Sequence, residues 1–205
     1  MASSEQSKYS ARISDDALKS LITEARTHKF FTDTPVPETL LRELYDIAKF
    51  APTASNTCPM RLVFVTSEEE KARLNATVMP GNVEKVASAP VVAIIAYDLE
   101  YYESLRTLAP HMDYPSKHAS NSESEREIHA LRNSSLQAAF LIIAARALGL
   151  DCGPMSGFRA LELDKAFFEG TSLRSNFIMC LGYGSGERMK ERGARLSFDE
   201  CCRIV

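Results

Sequence analysis

The stretch "LQAAFLIIAARALGL", residues 136–150, decides the fold class of this chain. This stretch predicts a helix with apolar residues on nearly every side, in which small alanines are interspersed among large side chains. A helix at the surface of a domain would keep a broad polar face. We therefore predict a helix that runs buried through the centre of a domain, with Gly149 in its C-terminal turn.

Strand and helix patterns alternate on both sides of this helix. The run "PVVAIIAYD", 90–98, is continuously apolar and predicts a central strand buried on both faces. The segments "RLVFVTS", 61–67, and "NFIMCLGYG", 176–184, have strand composition. Since no internal repeat or Gly/Ser linker interrupts the chain, we predict one α+β domain over 1–205, a small mixed sheet surrounded by helices.

Several helix boundaries can be read directly. Ser14 precedes two aspartates and the helical spacing of residues 18–25, whereas residues 40–48 predict a second helix with one apolar face. Ser67 and Glu70 form a capping box that opens a short helix, and "ELDKAFFEG" predicts another. The stretch "DCGPMSGF" is assigned neither helix nor strand. Residues 100–126 are polar and predict a mobile surface lid, in which "YYESL" is helical.

Composition excludes several classes of function. A net charge of −3 and a pI near 5.9 leave no basic footprint for nucleic acid. The longest apolar stretch, 89–97, is far shorter than the roughly 20 residues that a membrane helix needs. The first sixteen residues lack the apolar core of a secretory signal, so we expect a cytoplasmic protein.

The cysteines and histidines do not predict a disulfide framework or a metal site. Five cysteines, an odd number without a CxxC pair, are typical of a reduced chain, and we interpret the adjacent Cys201 and Cys202 as packing residues. The four histidines include no HExxH. The glycines of "GYGSGE" have GxGxG spacing and predict a turn, and "PMSGF" is not a nucleophile elbow.

Polar groups remain at the ends of several predicted elements. The loop "APTASNTCPM", 51–60, joins a helix to a strand, and its short polar residues suit either turn chemistry or a ligand. Basic side chains near helix ends suit a phosphate, and amides and backbone N–H groups suit a ring with carbonyl edges. These candidates are Arg26, Thr27, His28, Asn82, Lys85, Ser156, Gly157, Arg192 and Arg195.

Ordered segments along nearly the whole chain resemble the nitroreductase superfamily of FMN-dependent oxidoreductases. The matching segments are "EARTHKFF", "AKFAPTASNTCPMRLVFV", "PGNVEKVASAPVVAIIA", "ARALGLDCGPMSGF" and "GARLSFDE". The segments "ARTH", "RNSSLQAA", "GLDCGPMSGF", "KAFF" and "RLSF" are most similar to the branch that contains malonic semialdehyde reductase. The resemblance implies a nitroreductase-like fold and a domain-intertwined homodimer.

The resemblance also implies which residues hold FMN. It places Arg26, Thr27 and His28 near the phosphate and ribityl chain, together with Arg192 or Arg195. Asn82 and Lys85 would contact the N1 and C2-carbonyl edge of the flavin, and the segment Met155, Ser156 and Gly157 would lie near N5, where glycine permits close approach. The loop residues implied to reach the flavin of the partner subunit are Pro52, Thr53, Ser55 and Asn56.

Two departures from the family pattern affect these assignments. The family usually opens with R-R-S-x-R, whereas Ala25 and Lys29 flank Arg26 here, so phosphate contact shifts to Arg26, Lys29 or the tail arginines. The family loop usually continues Q-P-W, whereas this chain reads Cys58-Pro59-Met60.

The implied activity is the transfer of a hydride from NADH or NADPH, through flavin N5, to a small acceptor. The acceptor suggested by the branch is malonic semialdehyde, reduced to 3-hydroxypropionate. Candidate proton donors are Ser156, Tyr101 and Tyr102, and Arg106 or Arg132 would bind a substrate carboxylate. The alternatives are a general nitro or quinone reductase and a non-catalytic flavin-binding protein.

Overall fold

An antiparallel sheet forms the centre of the computed structural model, which describes residues 12–205. In the described residues the sheet has four strands in the order β1-β2-β4-β3, and every paired neighbour is antiparallel. The strands are β1 (Met60–Val65), β2 (Val91–Asp98), β3 (Asp151–Met155) and β4 (Leu173–Gly182). The small sheet is confirmed, but its strands are antiparallel throughout, whereas the sequence predicted a mixed sheet.

Helices precede, separate and follow the strands. They are α1 (Asp15–Leu18), α2 (Glu38–Ala48), α3 (Glu68–Asn75), α4 (Pro80–Ser88), α5 (Leu105–Leu108), α6 (Tyr114–Ala119), α7 (Glu123–Ala147), α8 (Ala160–Phe168) and α9 (Phe198–Cys201). A π-helical turn (Lys19–Thr23) continues α1, and 3-10 turns lie at Ala54–Asn56 and Tyr101–Ser104. The predicted cap at Ser14 is confirmed, since its side chain accepts from the Ala17 amide. Ser67 also caps α3 by accepting from the Glu70 amide, but the predicted capping box is incomplete, because the Glu70 carboxylate pairs with Arg73 instead.

Strand β2 is buried on both faces, as its apolar sequence predicted. Val91, Ala93 and Ile95 pack into one hydrophobic cluster with α2 and α7. The alternate residues Val92 and Ile94 pack into a second cluster with α3, α4 and α8. Because side chains alternate along a strand, the sheet is covered by helices on both sides.

Helix α7 is longer and less completely buried than its apolar half predicted. It spans 25 residues and begins at a capping box between Ser122 and Glu125. One face is buried, but Leu136 and Phe140 on the opposite face are 48% and 46% exposed. The predicted burial is therefore confirmed for one face only, and an apolar stripe faces outward from this chain.

The stretch "DCGPMSGF", to which no element was assigned, contributes strand β3. Residues 100–126 contain the 3-10 turn at Tyr101–Ser104, which confirms that "YYESL" is helical, two short helices and the first turn of α7. Residues 1–11, part of the segment searched for a secretory signal, lie outside the described residues. Among residues 12–205, no helix combines the length and apolar character needed to cross a membrane.

Candidate active site

The segment that carries Arg26, Thr27 and His28 lies between strand β3 and the C-terminal part of the chain. On one side, the His28 amide donates to the Cys152 carbonyl over 3.0 Å. On the other side, the Thr32 amide donates to the Tyr183 carbonyl over 2.8 Å. Backbone hydrogen bonds thus hold this segment in place although it forms no regular helix or extended strand.

Two of the candidate phosphate-binding arginines meet at this segment. Arg26 donates to the carbonyl of Lys190, and Arg192 Nη2 donates to the Ala25 carbonyl over 3.1 Å. Arg195 instead donates to the carbonyls of Gly193 and Ala194, within its own turn. The structure therefore brings Arg192, rather than Arg195, to Arg26.

His28 turns its ring toward the protein. Its Nε2 lies 3.3 Å from Asp151 Oδ1, and its buried Nδ1 has no hydrogen-bond partner in the described residues. The ring packs against Gly184 so closely that a Cβ atom there would lie 1.8 Å from Nδ1. Sequence reasoning missed both Asp151 and Gly184, whose positions depend on long-range packing.

Helix α4 presents an amide and an ammonium group beside the end of β3. Lys85 Nζ donates to Asn82 Oδ1 over 2.7 Å, and Asn82 Nδ2 donates to the Gly157 carbonyl over 3.0 Å. A Cβ atom on Gly157 would lie 2.3 Å from Asn82 Nδ2, so the glycine is what permits this approach. Met155 is half-buried and Ser156 is exposed beside this chain of contacts.

An ion pair connects α4 with the arginine segment. Arg188 Nη1 lies 2.9 Å from Glu84 Oε2, and its guanidinium lies 4.6 Å from the ring centroid of Phe30. The two groups of candidate residues, 26–28 with Arg192 and 82–85 with 155–157, are therefore neighbours in one chain. Sequence reasoning did not identify Arg188, since it lies outside the matched motifs.

The loop with Pro52, Thr53, Ser55 and Asn56 lies elsewhere. It leads into β1, whose first residue pairs with Tyr97, whereas α4 leads into the opposite end of β2. Eight strand residues separate these ends by roughly 23 Å. Among residues 12–205, no hydrogen bond joins the loop to the other candidate residues.

Buried polar groups lie under this loop. The Tyr101 hydroxyl is 3.0 Å from His118 Nδ1, and the Tyr101 ring stacks on His129 with centroids 4.9 Å apart. Burial raises the pKa of Tyr101 to about 12 and lowers the pKa of both histidines. Tyr101 is completely buried, so its hydroxyl cannot donate a proton to a bound substrate in this conformation. Tyr102, the other candidate tyrosine, is half-buried.

A large open cleft of about 1190 Å³ lies beside the loop, between α2, β1 and α5. Its wall includes Tyr45, Lys49 and Arg61, but none of the predicted cofactor residues. Within the described part of the chain, no three His, Cys, Asp or Glu side chains are grouped to hold a metal ion.

Comparisons with known proteins agree with this architecture. Residues 22–183 match the family described as "Nitroreductase family". A Stenotrophomonas maltophilia (strain K279a) protein named "Putative NADH dehydrogenase/NAD(P)H nitroreductase" is 53% identical over 189 residues, which cover 92% of this chain and 96% of that protein. A Caulobacter relative with the same name is 49% identical over 95% of this chain and all of its own length.

Solved structures share the fold at low sequence identity. A nitroreductase family protein from Streptococcus pneumoniae is 24% identical with a TM-score of 0.79, covering 93% of this chain and 98% of its own. An Exiguobacterium sibiricum structure described as a "putative nitroreductase in complex with FMN" is 18% identical with a TM-score of 0.82. The match covers 95% of this chain and 99% of that structure's chain. Together with the match over residues 22–183, the close relatives show that this chain belongs to the nitroreductase family of oxidoreductases.

Proposed function

We propose that this protein binds FMN and uses NADH or NADPH to reduce a small acceptor. The observation that carries the proposal is the assembly of Lys85, Asn82 and Gly157 beside the arginine segment of the same chain. Two segments distant in sequence, α4 and the end of β3, supply an ammonium, an amide and close backbone access at one place. Such groups suit the carbonyl and ring-nitrogen edge of a flavin.

The residues fit FMN in both charge and shape. Arg26 and Arg192 supply guanidinium groups for the phosphate, and Lys29 adds a half-buried cation nearby. Thr27 is exposed, so its side chain is free to contact the ribityl chain. The His28 ring faces Asp151, so His28 would contact FMN through its backbone or after its ring rotates. Because Gly157 has no side chain, Asn82 lies where a Cβ atom would otherwise displace it.

Each group of residues in this proposed site has a definite task. When bound, FMN supplies the redox chemistry, exchanging a hydride at N5 with the nicotinamide and the acceptor. Lys85, oriented by Asn82, would stabilise negative charge at the N1 and C2 edge. Met155, Ser156 and Gly157 would line the N5 edge, and the exposed Ser156 hydroxyl is our candidate proton donor.

The similar proteins support the cofactor and the hydride donor. The Exiguobacterium structure contains FMN, and the names of the Stenotrophomonas and Caulobacter relatives include NAD(P)H. Our first candidate acceptor is malonic semialdehyde, reduced to 3-hydroxypropionate, with the exposed Arg106 or Arg132 near its carboxylate. A nitro or quinone acceptor is the second candidate, because the names of those relatives include nitroreductase.

A homodimer would complete the site. The exposed stripe of α7, with Leu131, Leu136 and Phe140, needs a partner to remove it from water. Ser55 and Asn56 are also exposed, in a loop far from the cofactor residues of their own chain. We therefore propose that the loop lines the flavin of the second subunit.

The visible absorption spectrum of the purified protein, with the chromophore identified by mass, tests the cofactor. We expect one FMN per chain and steady NAD(P)H consumption with malonic semialdehyde. Faster turnover of a nitroaromatic would favour the second candidate, and bound FMN without turnover of either acceptor would indicate a flavin-binding protein. A colourless protein that takes up no added FMN would contradict the proposal.

A further inference from the structure

Three polar side chains of α7 hold the loop 51–60. His129, Asn133 and Gln137 are spaced by four residues, so they lie along one face of the helix. His129 Nε2 lies 3.1 Å from the Thr57 hydroxyl. Asn133 Oδ1 accepts from the Ala54 amide over 2.8 Å, and Gln137 Oε1 accepts from the Met60 amide over 2.9 Å.

These side chains are themselves fixed in place. Asn133 and Gln137 are only 2% and 4% exposed, and Asn133 Nδ2 donates to the His129 carbonyl over 2.8 Å. The His129 ring stacks on the buried Tyr101 at an interplanar angle of 19°. We call His129, Asn133 and Gln137 the α7 clamp.

The clamped loop has an unfavourable backbone conformation. Ser55 and Asn56 both have φ of 53°, and Cys58 has φ of 39°, which is the left-handed region. Residues other than glycine persist there only where their surroundings hold them. Because Asn133 binds the amide just before Ser55 and His129 binds the residue just after Asn56, the clamp brackets the strained residues.

We propose that His129, Asn133 and Gln137 are positioning residues that keep Pro52–Asn56 in the conformation that lines the flavin. The inference rests on the proposed function, in which this loop contacts FMN in the second subunit. The hydrogen bonds that the clamp side chains make outside α7 all go to the loop, so the clamp acts through the loop and not on the cofactor. It also explains why the buried face of α7 carries the amides of Asn133 and Gln137 one turn apart.

Cys58 provides a probe of the loop that is independent of FMN. Its Sγ lies 3.4 Å from Asn56 Oδ1 and 3.7 Å from Thr53 Oγ1, so its accessibility reports on the loop. Burial raises the pKa of both Cys152 and Cys180 to about 12, which makes these thiols unreactive near neutral pH. Replacing the exposed cysteines, as Cys201→Ser and Cys202→Ser, leaves Cys58 as the reactive thiol.

The test compares Asn133→Leu, Gln137→Leu and Thr57→Val with Thr57→Ser in this background. Thr57→Val removes the hydroxyl that meets His129 at nearly constant volume, and Thr57→Ser retains it. We expect the first three variants to react with a thiol reagent about tenfold faster at Cys58 and to bind FMN about tenfold more weakly. Thr57→Ser should stay within about twofold of the parent in both measurements.

The results separate this inference from the proposed function. If the parent binds no FMN, the proposed function fails, while Cys58 labelling still decides whether the clamp orders the loop. If labelling and FMN affinity are unchanged in folded Thr57→Val and Gln137→Leu, the clamp is refuted. Faster labelling with unchanged FMN affinity also overturns it, because the loop would then be ordered for another purpose. Circular dichroism identifies any variant that fails to fold, and the remaining variants then decide.

Discussion

Gly157 sets the distance between the end of β3 and helix α4. Its carbonyl accepts from both the Met79 amide, over 2.9 Å, and Asn82 Nδ2, over 3.0 Å. Since Asn82 also accepts from Lys85, a single backbone group fixes the orientation of the ammonium. A side chain at this position would therefore disturb a predicted cofactor residue without changing any charge.

Gly157→Ala should weaken FMN binding about tenfold, because the new Cβ displaces Asn82 and its hydrogen bonds. Gly81→Ala is the matched control, since nothing lies within 4 Å of a Cβ there, and alanine suits the helix better than glycine. Flavin fluorescence during titration of the apoprotein measures both affinities. Equal affinities for the two variants would contradict the role of the Gly157 approach.

His118 and His129 should make stability depend on pH in a defined window. Burial lowers the pKa of both below the usual 6.5. The charge of Lys117 lowers the pKa of His118 further, and the charges of His118 and Arg132 lower that of His129. Below pH 6.5 the unfolded chain binds more protons than the folded one, so the free energy of unfolding falls as the solution is acidified. The limiting slope is about 1.4 kcal/mol per pH unit for each histidine.

Urea unfolding between pH 5 and 8 measures this dependence. The free energy of unfolding of the parent should be constant above about pH 7 and fall below about pH 6.5. His129→Phe, which retains a ring against Tyr101, should show a shallower fall with decreasing pH. Glu125 and Glu200 do not confuse this window, because their hydrogen bonds to Ser122 and Ser197 lower their pKa values and move their titration further below it. Identical slopes for the two proteins would exclude His129 as a source.

At the scale of elements, the capping boxes that start α7 and α9 have different consequences for stability. Ser122 and Glu125 start α7, which packs against α2 and the sheet, whereas Ser197 and Glu200 start the fully exposed α9. Ser122→Ala should lower the free energy of unfolding by about 1 kcal/mol. Ser197→Ala, with the same cap geometry, should leave thermal unfolding unchanged because α9 supports no core. A similar loss of stability in Ser122→Ala and Ser197→Ala would show that α9 unfolds together with the core.

The elements also show what local sequence could predict. The caps at Ser14 and Ser67, the buried strand β2 and the C-terminal Gly149 follow from short-range rules, and the structure confirms them. Strand β3 was not predicted because it contains Gly153 and Pro154. As an edge strand, β3 tolerates proline, and a Cβ on Gly153 would lie 2.4 Å from the His28 carbonyl. Neither fact is visible without the neighbouring segments.

The candidate site was predictable to a similar degree. The resemblance placed Asn82 and Lys85 at one edge of the flavin and Gly157 near N5, and in the structure these three residues are joined by hydrogen bonds. It did not identify Arg188, Asp151 or the clamp. The polar residues at every fourth position of α7 were a usable signal for the clamp, since buried amides on an apolar helix face need hydrogen-bond partners.

At the scale of the whole molecule, two independent features point to a shared site. The outward stripe of α7 leaves Leu136 and Phe140 about half exposed, and the loop 52–56 lies at the far end of the sheet from the cofactor residues of its own chain. A second copy of the chain would cover the stripe and bring its loop to the site. Arg26 and Asn56 would then belong to one functional unit although they lie in different subunits.

A mixed dimer of Arg26→Ala and Asn56→Ala chains distinguishes the two arrangements. If the loop serves the neighbouring subunit, one site combines both substitutions and the other contains neither, so about half of the sites should bind FMN with parental affinity. If each loop serves its own chain, every site contains one substitution and none is intact. Differently tagged chains, co-expressed and purified by both tags, provide the mixed dimer, and flavin titration counts the intact sites. Each variant homodimer should bind weakly at every site, so a parental fraction in the mixture can come only from a site built by both subunits.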